Sequence, residues 1–243
     1  NELDRLKAAI ETAKEQLNEL NISTIDELGE KEAQIFKSHE MMLEDDTFIS
    51  DVENRIIDEG INAEFALYET SNVYVKMFQN IENEYLRERA EDIKDVMGRV
   101  IRLLMGITGI DFSNLEENSI IVAKDLTPSD TAQIDRTKVA AMITEMGGKT
   151  SHAAIIARIL GIPTVVGLDN ITDKIKSGDT VICEGKTGKV IVNPNEKQLF
   201  HYNRKKTYED EIKHELRNQI GLPSVTKDGF GVSLSANIGS PMM

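Results

Sequence analysis

Between Asn1 and Gly106 there is no proline, and glycine occurs only at 29, 60, 98 and 106; all five prolines lie beyond. A stretch this free of breakers, rich in Leu, Ala, Glu and Lys, has little choice but helix. Its apolar residues recur at helical spacing: Leu3, Leu6, Ile10, Ala13, Leu17 and Leu20 form a seam one face wide. A second helix is expected over about 25–44, with Leu28, Ile35, Phe36, Met42 and Leu43 apolar. Asp46 or Thr47 can cap a third, carrying Ile49, Val52 and Ile56 and ending at Gly60. Asn62 can cap a fourth, and a fifth is expected over about 82–105. Long helices joined by short loops make a bundle.

The charge divides at the same place. Residues 1–106 hold 25 acidic against 12 basic side chains, a balance of −13, and the remainder is nearly neutral within a total of −14. So acidic a surface repels nucleic acid and anionic lipid and favours a basic protein partner. No apolar run approaches the ~20 residues that span a bilayer, so no membrane association is expected. The single cysteine, Cys183, excludes an internal disulfide and a multi-cysteine metal site and fits a reducing compartment, so a cytoplasmic location is expected.

Beyond residue 106 short β-branched runs alternate with short helices, as in an α/β unit. Strands are expected at 120–123, 139–144 and 164–167, and a hairpin at 180–184 and 189–192. Thr127, Pro128 and Asp130 read as N-cap, N1 and N3 of a helix, and Ser151 or Thr150 as the cap of another that Gly161 ends. A charged helix over 195–220, too polar to be buried, reads as a linker. The organisation expected is a bundle at 1–106, an α/β domain at 107–194, a linker at 195–222 and the start of another domain at 223–243. Both ends are abrupt, which reads as a fragment of a longer protein.

The stretch with the most chemistry is Gly147-Gly148-Lys149-Thr150-Ser151-His152-Ala153-Ala154-Ile155-Ile156-Ala157-Arg158. A Gly-Gly turn follows a buried strand, two hydroxyls sit at a helix mouth, and a histidine opens the helix. There the backbone N–H groups are unpaired and the helix dipole is positive. A phosphoryl group on the His152 ring would be cradled by amides and by the Thr150 or Ser151 hydroxyl. The same positive end disfavours imidazolium and keeps the ring nucleophilic. Four other readings are weaker. A P-loop would need its first glycine at Ile143; a Ser151–His152 hydrolase pair would need neighbours on a helix to face each other. His39, His152, His201, His214 and Cys183 show no metal-ligand spacing. A capping turn with an incidental histidine stays open.

The twelve-residue stretch resembles the phosphohistidine motif of the swivelling domains of phosphoenolpyruvate-utilising enzymes. The run Asp125 to Gln133 resembles the companion segment of one branch, enzyme I of the sugar phosphotransferase system. The helical half agrees, in Gly29-Glu30-Lys31-Glu32-Ala33, in His39, in Met41-Met42-Leu43-Glu44-Asp45 and in the run Glu84 to Ala90. Asn237-Ile238-Gly239 resembles the start of that family's C-terminal barrel.

The resemblance implies an α/β phosphohistidine (swivelling) domain plus an all-α helical bundle that binds the phosphocarrier protein HPr. His152 would be phosphorylated from phosphoenolpyruvate on Nε2 and would pass the group to a histidine of HPr. Thr131 matches the threonine whose hydroxyl bonds the active histidine. Glu30, Glu32, His39, Met41, Met42 and Arg89 match positions on or near the docking face. Substrate and Mg²⁺ would belong to the C-terminal phosphoenolpyruvate domain, with no cofactor expected here. Dimerisation would belong to that domain too, making the full-length protein a homodimer and this piece a monomer. A shallow, exposed His152 on the swivelling domain would meet the barrel and then the carrier, with Arg158 in a structural salt bridge. Two alternatives stay open: a nitrogen-regulatory or dihydroxyacetone-linked paralogue, and a non-catalytic module docking a basic protein.

Overall fold

The computed structural model describes residues 1–107, 112, 115–149, 151–233 and 235. Five helices come first: α1 (Glu2–Leu28), α2 (Glu30–Met42), α3 (Asp46–Glu59), α4 (Ala63–Gln79) and α5 (Glu84–Leu104). The α1 seam is buried at Leu6, Ala9, Ile10, Ala13 and Leu17. With Phe36, Val52, Leu67, Val96 and Val100 it forms one continuous core. Asn62 caps α4 and Gly60 ends α3 in the left-handed conformation, both as read from the sequence.

Two boundaries differ from expectation. The cap of α3 is Asp45, whose Oδ1 accepts from the Phe48 N–H at 2.9 Å. The first helix runs on to Leu28, and the second begins at Glu30, not near Ile25. Gly29 makes the break alone, at φ 100° and ψ 170°. Its N–H donates back to Thr24 and Ile25, closing α1, while its carbonyl accepts from Ala33 and opens α2. One glycine thus replaces a loop because no other residue reaches that backbone region without strain.

The second half holds β1 (Ser119–Ala123), α6 (Pro128–Thr131), β2 (Val139–Thr144), α7 (His152–Leu160), β3 (Thr164–Val165), α8 (Ile171–Lys174), β4 (Val181–Glu184), β5 (Lys189–Val192) and α9 (Glu196–Asn218). β1, β2 and β3 form a parallel sheet in that order, and β4 with β5 an antiparallel hairpin. The central β2 is buried along nearly its whole length, as a strand covered on both faces should be. A second core gathers Phe112, Leu126, Ile134, Val139, Met142, Ala153, Ala157 and Ile162. The capping box of Thr127 and Asp130 around α6 is formed as expected. β3 is shorter than expected, and α8 was not anticipated. It is a single turn held to the end of β2 by Glu145, which accepts from the Thr172 N–H at 2.9 Å. None of α9 is buried, but it is tied to the hairpin by the ion pairs Lys205–Glu184 and Lys186–Glu209.

The two cores meet at α5 and α6. The Asp95 carboxylate of α5 accepts from the Ser129 backbone N–H of α6 at 3.1 Å, in a buried bond. Ala132, just past α6, packs on the bundle core.

Replacing Gly29 by Ala places a Cβ in backbone space reserved for glycine. We expect Gly29→Ala to lower stability by about 1–3 kcal/mol, read as a lower urea midpoint at unchanged slope. An unchanged midpoint would mean the α1–α2 break relaxes to another conformation.

Candidate functional site

The parallel sheet delivers the Gly-Gly turn to the carboxyl end of β2. The Thr144 hydroxyl there donates to the Met146 carbonyl at 2.6 Å, and the Met146 N–H donates to Lys124 at 2.8 Å, so the chain turns sharply after the strand. Gly147 follows at φ +94°, and a Cβ on it would lie 3.1 Å from the Ser151 Oγ. The turn must therefore be glycine both for its backbone angle and for the approach of the cap. Ser151 caps α7, its N–H donating to Gly148 at 3.0 Å and its Oγ accepting weakly from Ala154 at 3.4 Å. His152 is then the first residue of α7. Thr150 lies outside the described residues.

The ring of His152 is not on a shallow, exposed surface. It is half-buried and faces the bundle, where Asp92, His39 and Asp95 act on it electrostatically. Burial pushes its pKa down to about 4; the Asp92 carboxylate opposes this, His39 adds to it and Asp95 opposes it. The neutral ring expected from the helix dipole is thus present, but its main cause is loss of water as the bundle covers it. Lys149 is exposed, and among the described residues Arg158 forms no salt bridge of the kind expected: it donates to the Lys149 carbonyl at 3.4 Å, bracing the Gly-rich turn.

Thr131 is 2% exposed, and its hydroxyl donates to the Thr127 and Pro128 carbonyls at 3.1 and 3.0 Å, not to His152. A threonine in a helical turn readily bonds back to its own backbone, and this one does. The larger correction is His39, expected on the docking face. It is 0% exposed, because α2 packs on α1 and α5 and carries this ring inward, edge-on to Phe36 at 6.0 Å. Its Nε2 lies 3.6 Å from the Asp92 Oδ1, and Asp92 is also paired with Arg89 at 3.3 Å. Of the remaining docking candidates, Glu30 is exposed, Met41 is 71% exposed, Glu32 is half-buried and Met42 packs against the core. Arg89 is half-buried beside Asp92. The expected docking residues are therefore divided: Glu30 and Met41 are exposed, whereas His39 is buried and Arg89 pairs with Asp92.

Sequence reasoning missed Asp92 and Asp95. Their signal was the spacing of Asp92, Asp95 and Arg99, three charged residues at i, i+3 and i+7 sharing one helix face. That face is where α5 meets the α/β half, and Asp95 is 3% exposed. Among the described residues no group of three or more His, Cys, Asp or Glu converges in a way that would hold a metal ion.

The description "PEP-utilising enzyme, N-terminal" matches residues 1–89, and "PEP-utilising enzyme, mobile domain" matches residues 115–188. The phosphoenolpyruvate-protein phosphotransferase of Geobacillus stearothermophilus is 43% identical over 240 residues, covering 99% of this chain and 42% of that protein. That of Bacillus subtilis (strain 168) is 43% identical with the same coverage. The chain thus spans about two fifths of the length of these relatives. A solution structure of an enzyme I protein aligns with TM-score 0.71 at 40% identity, over 86% of this chain and 84% of that one. The N-terminal domain of a nitrogen enzyme 1 aligns with TM-score 0.56 at 26% identity, over 85% and 84%.

Burial of His152 has a consequence for titration. Its midpoint, followed by ring NMR, is expected near 4 instead of the ordinary 6.5. The unfolded chain then binds more protons than the folded one between those values. Stability is full above pH 6.5 and falls as the pH drops toward 4. A midpoint at 6.5 with a flat stability profile would contradict the buried placement.

Proposed function

The chain belongs to the phosphoenolpyruvate-utilising enzymes, and we propose that it is the phosphoryl-carrying part of a phosphoenolpyruvate-protein phosphotransferase of the sugar system. The observation that carries this reading is the neutral His152 ring at the first turn of α7, reached through Gly147 and Gly148. A neutral imidazole has one lone pair free and one N–H to orient it. The free nitrogen, Nε2, attacks the phosphorus of phosphoenolpyruvate. The N–P bond forms as the bridging C–O–P oxygen leaves with its electron pair, and the enolate so released takes a proton to become pyruvate. The group then leaves His152 for a ring nitrogen of a histidine on HPr, and the His152 lone pair returns.

Both steps move a phosphoryl group between partners of similar chemistry. Positioning and charge stabilisation suffice, with no covalent help beyond the imidazole. The N–H groups at the α7 mouth and the Ser151 hydroxyl suit the equatorial phosphoryl oxygens, and Thr150, the preceding residue in sequence and outside the described ones, belongs to this reading. Thr131 stands beside α7 on α6 and supports the ring's surroundings without bonding it in this arrangement. Mg²⁺ is implied by the resemblance, and among the described residues no group of three or more His, Cys, Asp or Glu fits it. Phosphoenolpyruvate and Mg²⁺ would be bound by a domain outside this chain, through which the whole protein would also dimerise.

The docking partner follows from charge. The bundle's balance of −13 attracts a basic carrier and speeds its encounter. Met41, exposed and adaptable, stands at the C-terminal end of α2, whose first turn carries the acidic Glu30 and Glu32. Met42, packed on the core, and Arg89, beside Asp92, belong to the docking assignment by sequence position. Identity of about 40% to the enzyme I protein and the phosphoenolpyruvate-protein phosphotransferases, against 26% to the nitrogen enzyme 1 domain, favours HPr of the sugar system as the carrier. Among the described residues no helix is long and apolar enough to cross a membrane, and a cytoplasmic site of action fits the reading.

Incubated with phosphorylated HPr, the chain should gain one acid-labile, base-stable phosphoryl group, and His152→Ala should gain none while folding normally. Labelling that survives in His152→Ala, or HPr binding without any transfer, would overturn the reading.

A further inference from the structure

The turn that carries His152 is bracketed by a segment the transfer steps do not use, the stretch from β3 to α8. Three contacts join the two chains. The Leu168 N–H donates to the Thr144 carbonyl at the end of β2, at 3.1 Å. A Cβ on Gly167 would lie 3.7 Å from the Gly147 carbonyl oxygen, so the backbones run at van der Waals distance there. Glu145 makes the third contact: its Oε1 accepts from both the N–H and the hydroxyl of Thr172, at 2.9 and 2.5 Å. Those bonds, the hydroxyl's first, hold the Glu145 carboxyl below the usual carboxylate range. α8 has no cap of its own, since the Asn170 side chain makes no capping bond. Glu145 supplies from the neighbouring chain the acceptor that an N-cap residue supplies from within. Ile171, beside Thr172, is buried and fixes α8 in place. On the other side, the Glu145 and Met146 N–H groups donate to the Ala123 and Lys124 carbonyls at 3.1 and 2.8 Å. The chain then enters Gly147 and Gly148, which are exposed and have no side chain to hold them.

We propose that Glu145 is a positioning residue for His152: its carboxylate, clamped on α8, fixes the direction in which the glycine turn leaves β2 and so places the imidazole at the mouth of α7. The inference rests on His152 being the phosphoryl carrier. Two successive glycines are the most permissive joint a chain has, and such a joint holds an orientation only when both of its sides are held. The far side is α7, where Ala153 and Ala157 sit in the second core and Arg158 donates to the Lys149 carbonyl. The near side is β2, and the bonds from Glu145 to Thr172 carry that side one residue past the strand. With the clamp cut, α7 keeps its core contacts, but the turn gains freedom and His152 at its end spreads over more orientations. Phosphoryl transfer tolerates little of this, because a displacement of about 1 Å costs up to ~10²-fold in rate. Docking of the carrier is untouched, since Glu30, Glu32 and Met41 lie on α2 in the bundle.

The test follows single-turnover transfer from phosphorylated HPr to the whole chain over a range of carrier concentrations, beside amide hydrogen exchange of the unphosphorylated chain. Glu145→Ala should slow transfer at saturating carrier about tenfold and leave the half-saturating concentration within about twofold of the wild type. Glu145→Gln keeps an oxygen that accepts from the same N–H and hydroxyl, and should recover the wild-type rate to within about threefold. In Glu145→Ala, exchange at the bonded Met146 and Ser151 amides should speed up about tenfold while the amides of α1 keep their protection. Should Glu145→Ala fail to fold, Thr172→Val removes one of the two bonds and should give the same pattern at about threefold. The proposal is overturned if Glu145→Ala transfers at the wild-type rate, if Glu145→Gln is as slow as Glu145→Ala, or if the loss lies in the half-saturating concentration instead. Should the wild type accept no phosphoryl group at all, the assigned function fails, and exchange decides the clamp by itself. Acceleration in Glu145→Ala but not in Glu145→Gln then supports it, and unchanged exchange overturns it.

Discussion

The buried bond from the Ser129 N–H to the Asp95 carboxylate sets the relation between the two halves of this molecule. It draws α6 onto α5, and with α6 comes the neighbouring α7, whose first residue is His152. The same face of α5 carries Asp92 one turn earlier, so one helix supplies both the tether and the carboxylate nearest His39. The contact is polar and only partly satisfied. Among the described residues, His39 Nδ1 and Nε2, Asp95 Oδ1, Arg99 Nε and Ser129 Oγ are buried without a hydrogen-bond partner. Unpaired buried groups make an interface weak, each by about 1–3 kcal/mol. An interface with unsatisfied polar groups opens more easily than a fully paired one.

Held against the bundle, the His152 ring is desolvated and neutral. A nucleophile that stays uncharged when covered meets its donor already deprotonated, with no proton to lose at the moment of attack.

Much of the architecture was legible because the responsible signals are local. Gly60, Asn62, Thr127, Asp130, Ser151 and Gly161 act within one turn of their own positions, and each ends or starts the helix it was expected to. The α1–α2 boundary was misplaced because apolar spacing continues through Ile25 and Leu28, and the break comes from a backbone angle at Gly29. The turn carrying His152 was equally local. Its exposure was not. Whether a helix mouth faces water or another domain depends on contacts between residues far apart in sequence, here Asp95 with Ser129. His39 was misassigned for the same reason. A histidine beside exposed Glu and Met residues looks like surface until α2 is rotated against α1 and α5.

The placement of His152 against the bundle is the claim on which the electrostatics and the chemistry both rest. The four histidines provide an internal scale, since His201 and His214 are exposed on α9, His152 is half-buried and His39 is fully buried. Carbethoxylation of the native chain at neutral pH, followed residue by residue by mass spectrometry, tests it. The account predicts rapid modification at His201 and His214, slow modification at His152 and none at His39 before unfolding. Reaction at His152 as fast as at His201 and His214 would contradict it.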